Sequence, residues 1–209
     1  MLPEERKQGA RVVGRAAGSA RLPQGMEAPE GLPHVLTLDC AAIPTGVLDI
    51  EFPADGRLLV FGEISDYPGE GTILHLPPEA EVEEAERSGI HEPFPLYAVP
   101  GTTAPGLSDW SHVAEAVDYA EGDAERTRLV KRLIEEIDRI LDARWTQDIQ
   151  LGGHSRAWQN PVEDRGDVLF LRIPESAVSD GDNYLTLIAG RREQIAERRY
   201  DELEFEVEL

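Results

Sequence analysis

Cysteine, aromatic residues and long apolar runs are scarce in this sequence of 209 residues. Its single cysteine, Cys40, excludes an internal disulfide framework and favours a reducing, cytoplasmic location. No apolar run approaches the roughly 20 residues that a membrane-spanning helix requires, so we expect no transmembrane helix. Because Cys40 lies among apolar neighbours, we expect it to be a small core residue.

Groups of metal ligands and phosphate-binding loops are also missing from the sequence. The five histidines stand apart without a His-x-x-x-His pair, and no second cysteine completes a zinc-binding set. The segment from Asp180 to Asn183 contains two aspartates and a glycine, but it lacks the spacing and the terminal glutamate of a calcium-binding loop. No glycine-rich nucleotide-binding motif is present either. We therefore expect no metal site and no cofactor.

Basic residues are few compared with acidic ones. The chain holds 20 lysines and arginines against 41 aspartates and glutamates, which gives a net charge of −21. Residues 22–120 carry most of this excess, a net of −16, while residues 1–21 carry +3 and residues 121–209 carry −8. A field of this sign repels nucleic acid and anionic membranes, so we expect neither as a partner.

The acidity itself has two interpretations that the sequence leaves open. One is solubility or adaptation to salt. The other is an acidic surface that attracts a basic partner protein. The expected contacts of such a surface are clustered glutamates that have little apolar reason to be buried: Glu81, Glu83, Glu84 and Glu86.

Several short segments are rich in apolar and β-branched residues and are bounded by turn residues or proline, which predicts β-strands. The predicted strands cover residues 35–40, 57–62, 71–78, 168–173 and 184–189. The last ten residues alternate strictly, so we expect a final strand there. In that strand Leu203, Phe205, Val207 and Leu209 should face the core while the intervening glutamates face water.

The clearest predicted helix covers residues 123–145. An apolar stripe runs along it through Leu129, Leu133, Ile137, Ile140 and Leu141. We expect three of these residues to pack the helix into the core: Leu133, Ile137 and Ile140. A Ser-Asp start signal predicts another helix over residues 108–120.

The remaining segments have weaker patterns. A short helix over residues 4–17 is compatible with their periodicity, and an extended arm would follow it. We interpret residues 79–89 as an acidic helical turn or a loop, and the proline-rich residues 90–108 as a loop.

Two parts of the chain follow the same order of pieces. Val35-Leu36-x-Leu38 leads to Asp55-Gly56 and an apolar strand, and Val168-Leu169-x-Leu171 leads to Asp180-Gly181 and another. This parallel indicates a weak internal duplication. We therefore predict an α+β fold: a single compact domain, residues 18–209, of two related, mainly antiparallel β halves with a central amphipathic helix. A basic, weakly structured N-terminal arm, residues 1–17, precedes it.

The segment Gly153-His154-Ser155-Arg156-Ala157 nearly matches the Gly-x-Ser-x-Gly elbow of serine hydrolases. Ala157 replaces the second glycine, and Pro161 prevents a long helix from following. In that fold the catalytic histidine follows the serine, whereas His154 is the last histidine of this chain. We therefore predict that Ser155 is not a nucleophile.

Two interpretations of residues 151–160 stay open. In the first, the glycines form a turn in which Trp158 packs and Gln159 satisfies backbone groups. In the second, the segment is a recognition loop, and its glycine N–H groups can approach an anion. The candidate binding residues of that loop are His154, Arg156, Trp158 and Gln159. His75 is a further candidate for a small-ligand site or an enzymatic one.

A series of short motifs runs in one order from residue 18 to residue 209. It starts with Gly18, Leu22-Pro23-Gln24-Gly25, Pro29 and the segment VLTLDCAAIP, and continues with Gly56–Phe61 and Ile73-Leu74-His75. It ends with Gly152-Gly153 and Gln159, then LFLRIPES and SDGDNYLTLI. In this order the motifs resemble the YwqG-like family of bacterial proteins of unknown function.

That resemblance implies a duplicated α+β fold and no established activity. The chain departs from the family pattern at several polar positions. Thr37 and Arg172 stand in place of glutamines, Pro174 stands in place of an aspartate, and the tryptophan near the Leu-Pro-x-Gly step is absent. If those polar residues serve a ligand in other members, the resemblance does not carry that site over to this chain.

The charge and the lack of a catalytic constellation together favour a cytoplasmic, non-enzymatic, acidic protein-binding module. Such a module would suit an antagonist or immunity-type protein that acts on a basic partner, for example a toxin. The alternative is a small-ligand-binding protein or an enzyme that uses the 151–160 turn. A convergent pocket with a perturbed histidine would favour the alternative, and a flat acidic surface would favour the first interpretation.

Overall fold

The computed structural model describes residues 10–44, 46–64, 69–85, 92–104, 123–145, 148–157, 159–181 and 184–209. Several predictions fall outside this description. They concern the helix over residues 108–120, Glu86, Trp158, and the side chains of Ile137 and Ile140.

The described chain consists mainly of antiparallel strands with two helices, which confirms the predicted α+β class. The strands are β1 (Arg11–Ala16), β2 (Arg21–Pro23), β3 (His34–Asp39), β4 (Arg57–Glu63), β5 (Glu70–Leu76), β6 (Val82–Glu84), β7 (Phe94–Ala98), β8 (Gln150–Leu151), β9 (Val168–Pro174), β10 (Leu185–Gly190) and β11 (Glu204–Glu208). The helices are α1 (Ala124–Trp145) and α2 (Arg192–Ala196). The predicted strands at 35–40, 57–62, 71–78, 168–173 and 184–189 are confirmed as β3, β4, β5, β9 and β10.

The described strands form two large sheets and one small one. The five-stranded sheet has the order β5-β4-β3-β1-β7, and the four-stranded sheet has the order β11-β10-β9-β8. The small sheet pairs β2 with β6. All of these pairs are antiparallel. Each large sheet therefore has two edge strands, β5 and β7 in the first and β8 and β11 in the second.

Strand β1 lies where a short helix over residues 4–17 and a weakly structured arm were predicted. It pairs with β3 on one side and β7 on the other, and its Val13 and Ala16 are buried. Gly14 allows this pairing, because a Cβ there would overlap the carbonyl oxygen of Thr37. The helix prediction was wrong for residues 11–16, since pairing on both sides outweighs a weak local preference.

Strands β6 and β7 lie in segments that carried no strand prediction. Residues 79–89 were interpreted as a helical turn or a loop, yet Val82–Glu84 pairs with β2. Residues 90–108 were interpreted as a loop, yet Phe94–Ala98 pairs with β1. These strands are only three and five residues long, too short for a clear alternating pattern.

The central strand β4 is apolar on both of its faces. Leu58 and Val60 belong to the main core, which also contains Phe170 of the four-stranded sheet. Leu59 and Phe61 point the other way into a second cluster, which β2 and β6 cover. A strand that is buried on both faces has a continuous apolar run instead of alternation.

Cys40 lies at the end of β3 in the main core, which confirms its prediction as a core residue. Burial raises the pKa of its thiol to about 12, and the nearby Asp39 acts in the same direction. A thiol with such a pKa stays protonated at neutral pH and is a poor nucleophile.

The two large sheets meet closely at strands β5 and β11, where two glycines face the C-terminal strand. A Cβ on Gly71 would overlap the ring of Phe205, and a Cβ on Gly69 would lie 2.6 Å from Cγ2 of Val207. Neither glycine has a positive φ. The contact therefore requires the absence of a side chain, not an unusual backbone conformation.

Helix α1 confirms the helix predicted over residues 123–145, but not its packing. Leu129 and Leu133 are 57% and 59% exposed, so the prediction that Leu133 packs into the core was wrong. The period of an apolar stripe identifies the apolar face of a helix, but it does not identify what covers that face.

Among the described residues, no helix combines the length and the apolar character needed to cross a membrane.

The C-terminal strand follows the predicted alternation only in part. Leu203 and Val207 are buried as expected, whereas Glu208 is 2% exposed and Leu209 is 65% exposed. The prediction that the glutamates of this segment face water was therefore wrong for Glu208. Its carboxylate accepts hydrogen bonds from backbone N–H groups of another segment, which compensates for its burial.

His34 is a buried histidine whose two ring nitrogens are both used. Nδ1 lies 2.9 Å from the carbonyl oxygen of Gly18, and Nε2 lies 2.8 Å from the hydroxyl of Thr37. Burial lowers the pKa of the imidazole, and the nearby Arg15 lowers it further. The folded chain therefore favours neutral His34, with Nδ1–H donating to Gly18 and Nε2 accepting from Thr37.

We expect Gly71→Ala to destabilise the protein by about 1–3 kcal/mol, because the new methyl group overlaps the ring of Phe205. Urea unfolding of the purified variant would measure this loss. In the Phe205→Ala background the same substitution should cost much less, because the ring is gone. Equal costs in the two backgrounds would contradict the proposed contact.

We expect stability to fall as the pH drops from about 7.5 to about 5, because unfolded His34 takes up a proton near pH 6.5 while folded His34 resists it. The contribution of His34 is complete above that pH and is lost as the pH falls toward its lowered folded pKa. His34→Asn keeps a donor near the Nδ1 position but cannot titrate, so this variant should show a smaller fall. Urea unfolding at both pH values measures the difference, and an unchanged fall would contradict this role.

Candidate functional site

A cleft opens between the two large sheets on the side opposite the β5–β11 contact. Its volume is about 1220 Å³. One wall is β7 with the segment that follows it, residues 94–103, and the other wall is residues 148–154 around β8. The cleft therefore separates the two remaining edge strands of the sheets.

The 151–160 turn forms part of this wall and is held by side chains from distant segments. Gly152 and Gly153 have φ values of 67° and 77°, a conformation that favours glycine. The N–H of Gly153 donates to Oδ1 of Asp49 at 2.7 Å, and the N–H of His154 donates to the hydroxyl of Thr103 at 3.0 Å. The carboxylate of Asp49 thus occupies a position that an external anion would need.

Ser155 is fully buried and bound to one carboxylate through two groups. Its N–H donates to Oε1 of Glu163 and its hydroxyl donates to Oε2, each at 2.7 Å. Nδ1 of His154 lies 3.9 Å from Oε1 of Glu163, so the imidazole neighbours the carboxylate. Apart from the two glycines, the positive φ of this segment falls on Arg156 and not on Ser155, unlike the strained serine of a nucleophile elbow.

Arg156 and Gln159 lie where the turn meets the C-terminal strand. The N–H groups of Gln159 and Asn160 donate to Oε1 of Glu208 at 3.1 and 2.7 Å. The pKa of Arg172 is lowered to about 10, chiefly by burial and also by the charge of Arg156, while Glu208 acts in the opposite direction. The Gln159 amide donates to the carbonyl of Leu209, as the turn interpretation expected. These groups secure the turn against the four-stranded sheet.

His154 lines the cleft, whereas His75 is not among its lining residues. The ring of His75 lies on β5 with Nε2 3.0 Å from the carbonyl oxygen of Asp55, and it meets the ring of Tyr200 edge-on at 6.4 Å. Tyr200 is itself buried, and burial raises its pKa to about 12. The structure therefore does not bring the two candidate histidines into one pocket.

The described members of the predicted glutamate cluster, Glu81, Glu83 and Glu84, lie on and beside β6 and are not among the residues that line the cleft. Glu83 and Glu84 are exposed, and Glu84 faces Arg21 across the β2–β6 pair. Glu84 also lies near Arg15 and raises the pKa of that guanidinium, although burial keeps the net shift downward. Two arginines thus partly offset the negative charge of this cluster.

The cleft is negatively charged and partly apolar. Asp49, Glu92 and Asp180 are among the acidic residues that line it, and its described lining contains no lysine or arginine. Three large apolar side chains of the lining also remain 52%, 38% and 48% exposed, namely Val47, Phe94 and Val99. Exposed apolar groups rimmed by charge are typical of binding surfaces.

Metal binding finds no support in the described part of the chain, where no three histidine, cysteine, aspartate or glutamate side chains group closely enough to hold an ion. His154 was a candidate from the sequence and lines the cleft, whereas the partners that hold the turn were not predicted. Asp49 and Thr103 lie 104 and 51 residues from their partners, so no local pattern indicates them. Glu163 is eight residues from Ser155 and was the one partner within reach of a local search.

We expect serine-directed fluorophosphonates not to label Ser155, because its hydroxyl is buried and donates to Glu163. Mass spectrometry of treated native protein measures the labelling. Ser155→Ala should instead lower stability by about 1–3 kcal/mol, as expected for loss of a hydrogen bond to a charged group. Stoichiometric labelling at Ser155 would overturn this structural role.

Comparison with known proteins adds no relative. No protein-family model matches the chain, and no curated protein matches its sequence. The resemblance to the YwqG-like family therefore stays a prediction.

Proposed function

We propose that this chain is an acidic binding protein whose cleft holds a positively charged segment of a partner protein. The observation that carries the proposal is the composition of the cleft walls. Asp49, Glu92 and Asp180 line the space, and its described lining contains no lysine or arginine. A cationic side chain entering this space meets attraction from several sides.

The size of the cleft favours a protein segment over a small molecule. Its volume of about 1220 Å³ exceeds the roughly 300–1,000 Å³ of typical small-ligand pockets. The exposed Val47, Phe94 and Val99 add apolar area that a peptide segment with mixed side chains can cover. A long, partly apolar segment uses both features, whereas a small polar cation uses only the charge.

The net charge of −21 supports the same proposal at longer range. A field of one sign steers a partner of the opposite sign and raises the association rate, an effect that salt screens. The cluster of Glu81, Glu83 and Glu84 contributes to this field, but Arg15 and Arg21 lie beside it. We therefore assign the cluster to steering and the cleft to binding.

The finer parts of the fold and family assignments are also proposals. The halves are inferred to be related because each contains a strand, a 3₁₀ turn and an antiparallel return strand: β3 with Cys40–Ala42 and β4, and β9 with Glu175–Ala177 and β10. Membership of the YwqG-like family, a cytoplasmic location and the role of an antagonist toward a basic partner belong to this proposal too.

A pair of matched variants tests the function. Asp49→Asn, Glu92→Gln and Asp180→Asn together remove three charges from the cleft, and the amide oxygen introduced at position 49 can still accept from the N–H of Gly153. Glu81→Gln, Glu83→Gln and Glu84→Gln remove three charges outside it. Partners are captured at low salt from the host, and binding of the identified protein is then measured by surface plasmon resonance.

We expect a basic partner whose affinity the cleft variant lowers by about tenfold or more, because the lost contacts are local. The control variant should mainly slow association, to an extent that disappears at high salt. Equal binding by the cleft variant and the wild type would show that the cleft is not the binding site. A stronger effect of the control variant would place the binding site at Glu81, Glu83 and Glu84. Capture of acidic partners alone would contradict the proposed function.

A further inference from the structure

We infer that the partner segment binds in an extended conformation, as an added strand along the open edge of β7. This inference rests on the proposed function, because it concerns the segment that the acidic cleft receives. It specifies how that segment is recognised: by main-chain hydrogen bonds to one sheet edge, with side chains that alternate between apolar and cationic.

The first observation is the set of β7 residues that line the cleft. Successive side chains of a strand point to opposite faces of its sheet, so a groove over one face is lined by every second residue. Here all residues from 94 to 103 line the cleft without a gap. The cleft therefore runs along the edge of β7 and exposes backbone as well as side chains.

The second observation is that β7 has a strand on one side only. It pairs with β1, and no other described strand lies beside it. The N–H and C=O groups on the outer side of an edge strand are available to an additional strand, and such addition is a common mode of peptide recognition.

The opposite wall is less suited to pairing because three consecutive backbone donors in it, those of residues 152–154, are already used. Within residues 152–154, the N–H of Gly152 donates to the carbonyl of Phe170 at 3.1 Å. The N–H groups of Gly153 and His154 donate to Asp49 and Thr103, as described above. The β7 edge is therefore the one that an incoming strand can pair with.

Two prolines set the length of this pairing. Pro95 and Pro100 have no N–H to donate, and proline is tolerated in a sheet chiefly at edges. They bracket the residues from Leu96 to Val99, whose N–H groups point alternately toward β1 and toward the open edge. Bracketing prolines also discourage indiscriminate pairing with other edges. The inferred contact is thus a short strand of about four residues, whose specificity must come from its side chains.

The cleft lining indicates which side chains the added strand carries. The lining combines exposed apolar side chains, those of Val47, Phe94 and Val99, with the acidic residues Asp49, Glu92 and Asp180. We infer that an added strand presents one of its faces to each kind. Because side chains alternate between faces, the segment that fits has apolar residues alternating with lysine or arginine.

Selection from a displayed library of random peptides of about 12 residues tests this inference, since it requires no known partner. Peptides are selected on the wild type at low salt and counter-selected on the cleft variant Asp49→Asn, Glu92→Gln, Asp180→Asn. The best peptide is then synthesised in three forms: unmodified, with its even-numbered amides N-methylated, and with its odd-numbered amides N-methylated. Affinity is measured by calorimetry, and backbone protection by hydrogen–deuterium exchange.

In an added strand only alternate amides face β7, so one methylated form should bind about tenfold or more weakly while the other binds almost normally. Within residues 96–99, the amides that point away from β1 should gain protection on binding. Equal binding of all three forms, or no protection in β7, would overturn strand addition. Selected peptides without lysine or arginine enrichment, or with equal affinity for the cleft variant, would instead overturn the proposed function.

Discussion

The close contact between strands β5 and β11 is the constraint on which the rest of the structure depends. Gly69 and Gly71 have no side chains, so Val207 and Phe205 of the last strand can lie directly against β5. This brings two antiparallel sheets together at one pair of edges and lets their inner faces share one apolar core. The other pair of edges, β7 and β8, lies apart, and the space between them is the cleft. The two sheets are thus in contact at β5 and β11, and the cleft lies between their other edges.

Carboxylates have a structural role in this chain that its net charge alone does not suggest. Three of them hold the 151–160 turn by accepting backbone N–H groups: Asp49 from Gly153, Glu163 from Ser155, and Glu208 from Gln159 and Asn160. Hydrogen bonds to ionised acceptors are stronger than those between neutral groups, which explains how a turn with little apolar content is held in place. Other acidic residues line the cleft or lie on β6, where they act through their field. The acidity therefore serves the fold and the proposed binding role at different positions.

The resemblance of residues 153–157 to a nucleophile elbow has a physical explanation in these contacts. The glycines are needed for a turn of positive φ, and the serine is needed to donate to Glu163 inside the protein. A hydrolase elbow contains the same residue types for other reasons: its glycines permit close packing, and its serine presents an exposed hydroxyl.

The concave, acidic cleft beside the turn differs from the flat acidic surface that the net charge suggested. The proposed binding of a protein segment uses the charge, the apolar area and the volume of this cleft together.

The sequence by itself determined the features that depend on neighbours a few residues apart. Short apolar runs over residues 168–173 and 184–189 identified two central strands, and the 3.6-residue period of its apolar stripe identified helix α1. Ala157 and Pro161 argued against a hydrolase elbow. Tertiary structure alone decided what depends on distant partners. Residues 11–16 form a strand because they pair on both sides. Leu133 is exposed. Glu208 is buried, and its carboxylate accepts a hydrogen bond from the N–H of Asn160, 48 residues away. The cleft is of the same kind, because its walls come from segments that meet only when the two sheets pack. Local patterns report the preference of a segment, whereas burial and sites arise from contacts between segments.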